Sequence, residues 1–178
     1  MKNKVCAFTG HRPSAYRFGY NEENEGCLKL KSLMEQEIQN LIARGVATFI
    51  TGMALGADTW GAEIVLNLKQ EYPFLQLIAA LPCRTQADGW TPEQRDRYFH
   101  ILCQCDDVFC VGEEYARGCM LQRNRWMVDR AQCVLAVYNG DPKGGTAYTV
   151  QYALKKGRPV TAIDPTMLRI QKLEPRLL

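Results

Sequence analysis

Six short apolar runs, separated by longer stretches in which apolar residues recur at helical spacing, restrict this 178-residue chain to few architectures. The runs are VCAFT (5–9), ATFIT (47–51), LQLIAAL (75–81), DVFCV (107–111), CVLAVY (133–138) and PVTAI (159–163). Such continuous apolar runs suit strands covered on both faces, as in a parallel sheet. Between the first two, Leu30, Leu33, Met34, Ile38, Leu41 and Ile42 form one helical stripe, closed by Gly45. A second helix is predicted over 57–70, and a third begins at Thr91-Pro92, with Gln94 at the capping-box position. Met120, Asn124, Met127, Val128 and Ala131 mark a fourth, and a fifth runs over 146–156 with Thr146 as its N-cap and Gly157 and Pro159 as its stop. Parallel neighbours need helical crossovers, so this order predicts an α/β, Rossmann-like fold: an open, mainly parallel sheet with helices on both faces. No linker-like run interrupts it. A single domain over 1–178 is expected, with its core at about 4–163 and a short C-terminal tail at 164–178.

In open sheets of this kind ligands bind at the carboxyl ends of the strands. The segments that matter are therefore TGHRP (9–13), TGMALGAD (51–58), LPCRTQADGW (81–90) and NGDPKGGT (139–146). Gly52, Ala54 and Gly56 allow close backbone approach, Gly10 at the end of the first strand is a further candidate ligand contact, and a side chain at Gly56 is expected to project into the space an anion needs. Gly144, Gly145 and Thr146 form a second small-residue turn before a helix, and the two turns together suit two phosphates or a phosphate and a ribose. Asp58 pulls the other way. A carboxylate in the first helical turn either compensates the dipole or contacts a part of the ligand that is not phosphate. His11 and Arg12, just past the first strand, offer an imidazole and a guanidinium. Arg123 and Asn124, at the start of the fourth helix, are candidate ligand-binding or loop-fixing residues: Asn124 falls on the apolar stripe, where a buried amide needs partners, while Arg123 shares a face with Arg130 that solvent would equally suit. Asp58 and Glu63 are the carboxylates available for catalysis, but five residues at 100° each set them about 140° apart on an ideal helix.

Composition narrows the alternatives. With 47% apolar and 23% charged residues the chain has the makeup of a globular protein, and its net charge of +3 lacks the concentrated basic excess of a dedicated nucleic-acid binder. The opening MKNKVCAFTG has too short an apolar stretch for a signal peptide, and no run is long enough to cross a membrane, so a cytoplasmic protein without membrane attachment is expected. There the eight cysteines stay reduced, and Cys103, Cys105, Cys110 and Cys119 complete no familiar zinc pattern with His11 or His100, so no metal is expected. The dinucleotide G-x-G-x-x-G, the Walker motif, G-x-S-x-G and H-E-x-x-H are all missing.

TGHRP, TGMALGADTWGAE, LQRNRWMV and NGDPKGGT, followed by the A-x-x-K-G-R-P-V ending, together resemble the SLOG superfamily over about 4–163, nearest its YpsA-like branch. The same arrangement is similar to the Rossmann-like domain of DNA-processing proteins that load recombinase on single strands, whose arginine-asparagine-arginine motif matches Arg123 to Arg125. The resemblance implies a nucleotide or nucleotide-derived ligand, such as an ADP-ribose-, NAD-like or nucleoside-phosphate molecule, with phosphates over the two turns and Asp58 on a sugar or base. It implies no obligatory cofactor. It extends weakly to cytokinin-activating phosphoribohydrolases, whose proline-arginine-x-x-glycine and glycine-glycine-x-glycine-threonine motifs this chain does not reproduce. Three functions follow: a nucleotide-binding sensor or regulatory module, a nucleoside-phosphate N-glycosidic hydrolase using Asp58 or Glu63, and a single-stranded DNA-binding module. The last requires Arg12, Arg84, Arg117, Arg123 and Arg125 to form one groove with Trp90 and Tyr148 free to stack. Self-association into a homo-oligomer is compatible with all three.

Overall fold

The structure is a computed structural model and describes residues 4–175. All six apolar runs form strands: β1 (Lys4–Gly10), β2 (Val46–Thr51), β3 (Gln76–Leu81), β4 (Asp107–Cys110), β5 (Cys133–Val137) and β6 (Val160–Ile163). Five helices alternate with them: α1 (Glu25–Ala43), α2 (Ala57–Leu68), α3 (Pro92–Leu102), α4 (Cys119–Arg130) and α5 (Gly144–Lys155). Local chemistry sets several boundaries. Asn24 caps α1 by accepting from the Gly26 amide at 2.8 Å, and Thr91 with Gln94 forms the expected capping box on α3.

A seventh strand, β7 (Ile170–Leu173), lies in the segment expected to be a tail and pairs antiparallel with β6. The strands lie in the order β4-β3-β2-β1-β5-β6-β7, and the first six in sequence run parallel. One apolar layer, with Leu30, Met34, Phe49 and Trp60, gathers α1, α2 and α3; a second, with Met127, Val128, Val150 and Ala153, gathers α4 and α5 on the opposite face. The fold is therefore an α/β sheet covered on both sides, as the sequence predicts.

β7 carries no continuous apolar run. A polar tether secures it: Lys172 Nζ donates to Glu37 Oε2 of α1 at 2.6 Å and to Thr161 Oγ1 at 3.1 Å, and Glu37 is otherwise buried. No strand periodicity signals such a hold.

The start of α2 sits hard on the centre of the sheet. A Cβ at Gly61 would lie 2.9 Å from the Phe8 ring, which itself stacks on Phe49 at 5.6 Å. Gly61→Leu should therefore overpack this contact and lower stability by about 1–3 kcal/mol. Chemical denaturation measures it, and an unchanged midpoint would show that α2 can move away from β1 freely.

Candidate functional site

Strand order reverses between β1 and β5, and their carboxyl ends part there. A cleft of about 380 Å³ occupies this point. β1 and the loop after it contribute Thr9, Gly10, His11 and Arg12; the β2–α2 turn contributes Ala54 and Asp58; α4 contributes Met120, Arg123 and Asn124; α5 contributes Gly145 and Thr146. Four segments far apart in sequence thus meet at one edge.

The loop after β1 is anchored from below. Tyr16 packs its ring on Trp60 at 5.6 Å and on Phe18 at 5.1 Å, and its hydroxyl donates to the His11 carbonyl at 2.7 Å. Burial, then the nearby Asp58 charge, push the Tyr16 phenol well up, so it remains a donor at any physiological pH. His11 Nε2 lies 3.0 Å from Asn139 Oδ1, which ties this loop to the loop after β5. Arg12 is exposed and makes no ion pair among the described residues.

The β2–α2 turn is built around a buried arginine. Arg123 is only 4% exposed, and its Nη1 donates to the carbonyls of Gly52 and, at 3.2 Å, Ala80, at the ends of β2 and β3. Its Nε donates to Asn124 Oδ1 at 2.7 Å; Asn124 Nδ2 donates to Thr149 Oγ1 at 3.0 Å, and Thr149 donates to the Gly145 carbonyl at 2.8 Å. One hydrogen-bonded line thus joins the β2–α2 turn to the first turn of α5. Helical periodicity puts Asn124 on the apolar stripe and Arg123 on a face shared with Arg130. The structure brings both to the cleft, with Asn124 half-buried and Arg123 the deeper of the two, its guanidinium turned in to strand-end carbonyls.

Asp58 is 7% exposed and accepts from the Ala54 amide at 3.3 Å. A Cβ at Gly52 would lie 2.5 Å from Arg123 Nη1 and 2.6 Å from Asp58 Oδ2, so this glycine makes room for both charged groups. They share the space without an ion pair within 4.0 Å among the described residues. Burial raises the Asp58 carboxyl above its usual value of 3.8, against the pull of Arg123 and Arg12, and burial lowers Arg123.

The glycines divide by what surrounds them. Gly10 faces Ala57, whose Cβ is 2.4 Å from where its own would be, so it closes β1 onto α2. Gly56, at φ 92°, faces the His11 carbonyl at 3.1 Å and Pro13 Cδ at 3.2 Å, and it does not line the cleft. This corrects the expectation that its side chain would enter the anion's space: the loop after β1 already covers the start of α2. A Cβ at Gly144 or Gly145 would meet nothing within 4 Å, and Gly145 lines the cleft. Helix α5 begins at Gly144, with Lys143 at the N-cap and no side-chain cap, so Thr146 sits inside the first turn and does not cap it.

Other expected residues are elsewhere. Glu63 pairs with Arg97 at 2.7 Å, and Arg97 also binds Glu22 at 2.6 Å, outside the cleft. Burial raises the Glu22 carboxyl, but hydrogen bonds from Arg97 and Lys31 outweigh it and hold it at about 2. The arginines required for a single-strand groove are dispersed: Arg84 pairs with Glu113 at 2.8 Å, Arg123 is buried, and Arg125 lies over Tyr148 on the outer face of α4 and α5. Trp90 packs edge-on against Tyr98. Sequence reasoning does not single out Asn139, Met120 and Leu121 as cleft neighbours; Asn139 stands in the NGDPKGGT segment, whereas no polar pattern marks the other two. Among the described residues no group of three His, Cys, Asp or Glu side chains is placed to hold a metal, and no helix is long and apolar enough to cross a membrane.

The Asp58 shift carries a sign for stability. A carboxyl whose folded-state value is raised favours folding when protonated, so its contribution is complete below pH 3.8 and is lost as pH rises through the raised value. At pH 7 the ionised Asp58 opposes folding. Asp58→Asn should therefore be more stable than the parent at pH 7, with a gain that vanishes below pH 3.8. Denaturant titrations at both pH values measure this; a destabilised Asp58→Asn at pH 7 would mean that its attraction to Arg123 outweighs burial.

The model of the YpsA family, described as the YspA SLOG family, matches residues 6–172. A UPF0398 protein of Bacillus thuringiensis (strain Al Hakam) is 29% identical over 157 residues, covering 86% of this chain and 84% of the relative. One from Halalkalibacterium halodurans is 31% identical over 156 residues, covering 86% and 82%. Among solved structures, DNA processing protein A of Helicobacter pylori, studied for its single-stranded DNA binding mode, superposes with a TM-score of 0.61 at 18% identity, covering 90% of this chain and 65% of that one. The crystal structure of TM1055 gives 0.54 at 15% identity, covering 88% and 72%. These two share the fold. With the family model spanning β1 through most of β7, the chain belongs to the YpsA branch of the SLOG family.

Proposed function

We propose that the cleft binds a nucleotide or nucleotide-derived ligand and that the protein acts as a sensor or regulatory module. The observation that supports this most directly is the opposite chemistry of the two helix starts. At α2 the group that reaches the cleft is the Asp58 carboxylate, since the loop after β1 covers Gly56. At α5 it is glycine and backbone without a side-chain cap, in an open space beside exposed Arg12. A phosphate group belongs at α5, where first-turn amides and the helix dipole favour an anion. Asp58 accepts from a hydroxyl or an amine on the neighbouring part of the ligand. A sugar phosphate bearing a base supplies both partners within one cleft.

Binding without turnover is the better reading than hydrolysis. Glycosidic hydrolysis by paired carboxylates needs two acids on opposite sides of the bond. Asp58 is the one carboxylate lining the cleft among the described residues, and Glu63 is held by Arg97.

A thermal-shift screen of nucleotides and NAD derivatives, followed by product analysis, tests the reading. A ligand at 100 times its Kd stabilises by about 2.7 kcal/mol. Gly145→Asp then separates ligand from fold: a carboxylate in the first turn of α5 suits the helix dipole and meets no neighbour, so stability should hold or rise slightly. Nucleotide affinity should fall at least about tenfold, or about 1.4 kcal/mol. Unchanged affinity in this variant would mean that the phosphate binds elsewhere.

A further inference from the structure

A second concavity, of about 500 Å³, opens on the same sheet edge at the ends of β5 and β6, closed on its far side by the hairpin into β7. Tyr138, Ala162, Met167 and Leu173 give it an apolar body, and Asp164 and Arg169 stand among its lining residues. Little separates it from the cleft. His11 of the cleft lies 5.7 Å, ring to ring, from Tyr138 of the second pocket, and its Nε2 is 3.0 Å from Asn139, which also lines that pocket.

The polar groups there are only partly used. Asp164 Oδ1 accepts from the Thr166 and Met167 amides at 2.8 and 2.9 Å, with no bond to Oδ2 among the described residues. Arg169 makes no ion pair among the described residues. Met167 is 57% exposed, a large apolar side chain left open at the mouth. The Tyr138 hydroxyl donates to the Asp141 carbonyl at 2.7 Å, which fixes the ring. A fixed aromatic ring, a thioether, and one acid and one base at the rim suit a flat heterocycle with polar edges. The hairpin that completes the pocket falls, up to residue 172, within the family match.

We infer that this pocket is a second subsite for the same ligand, taking a ring-bearing group joined through the phosphate anchored at α5, so that the preferred ligand is a dinucleotide-type molecule and not a mononucleotide. The inference rests on the nucleotide reading of the cleft. The start of α5 then sits at the middle of the ligand, with one ring-bearing half on each side of the loop over 139–143.

Isothermal titration of the full chain with NAD, AMP and nicotinamide mononucleotide tests it, because the last two are the halves of the first. NAD should bind at least tenfold tighter than the better half. Met167→Glu and Arg169→Ala, both at exposed positions, should each remove most of that advantage while the better half binds as before. NAD binding no tighter than its better half, variants that leave NAD binding intact, or an equal loss for whole and half would each overturn the second subsite and leave the cleft standing. Failure of all three nucleotides to bind would remove the nucleotide reading, and the subsite with it.

Discussion

Arg123 holds the mouth of the sheet together. Two parallel strands end side by side with carbonyls that no further strand residue can satisfy, and burying such groups unpaired would cost about 1–3 kcal/mol each. A guanidinium entering from α4 reaches both Gly52 and Ala80, and the Gln86 side-chain amide adds a second donor to Gly52 at 3.2 Å. That demand explains its neighbours. Gly52 has no side chain because Arg123 and Asp58 both lie over it, and Asn124 turns sideways to accept from Arg123 and pass a hydrogen bond to Thr149 and so to α5. The two turns that flank the cleft are therefore positioned relative to each other by one polar line, not by apolar packing alone.

The same arrangement leaves Asp58 electrostatically unfavoured. It is buried, raised in pKa, and close to a cation it does not touch. A carboxylate that opposes folding and faces a cleft is what one finds where binding, not stability, selects the residue. Ionised Asp58 thus opposes the fold, as the proposed ligand contact would allow, whereas Arg123 serves the fold itself.

Strand positions were legible because burial on both faces writes itself as a continuous apolar run, as in LQLIAAL and CVLAVY. The shared edge of TGHRP, TGMALGAD and NGDPKGGT follows from the parallel crossover order, which puts every strand's carboxyl end on one side. β7 was not legible, since Lys172 and Glu37, 135 positions apart, hold it by charge. The depth of Arg123 is hidden for a related reason: helical periodicity sorts residues by polarity, but a buried guanidinium answers to carbonyls contributed by other strands. Gly56 shows the remaining gap. Its lack of a side chain is readable, but whether the vacant side faces ligand or loop depends on where residues 11–13 fold, which only the three-dimensional arrangement gives.

If the anion anchor is the start of α5 and not the start of α2, amide NMR of the full chain titrated with AMP distinguishes the two most directly. The largest shifts are then expected at Gly145, Thr146 and Ala147, with the amides of Ala57, Thr59 and Trp60 nearly still. Large shifts at those α2 amides with a silent α5 start would contradict the assignment.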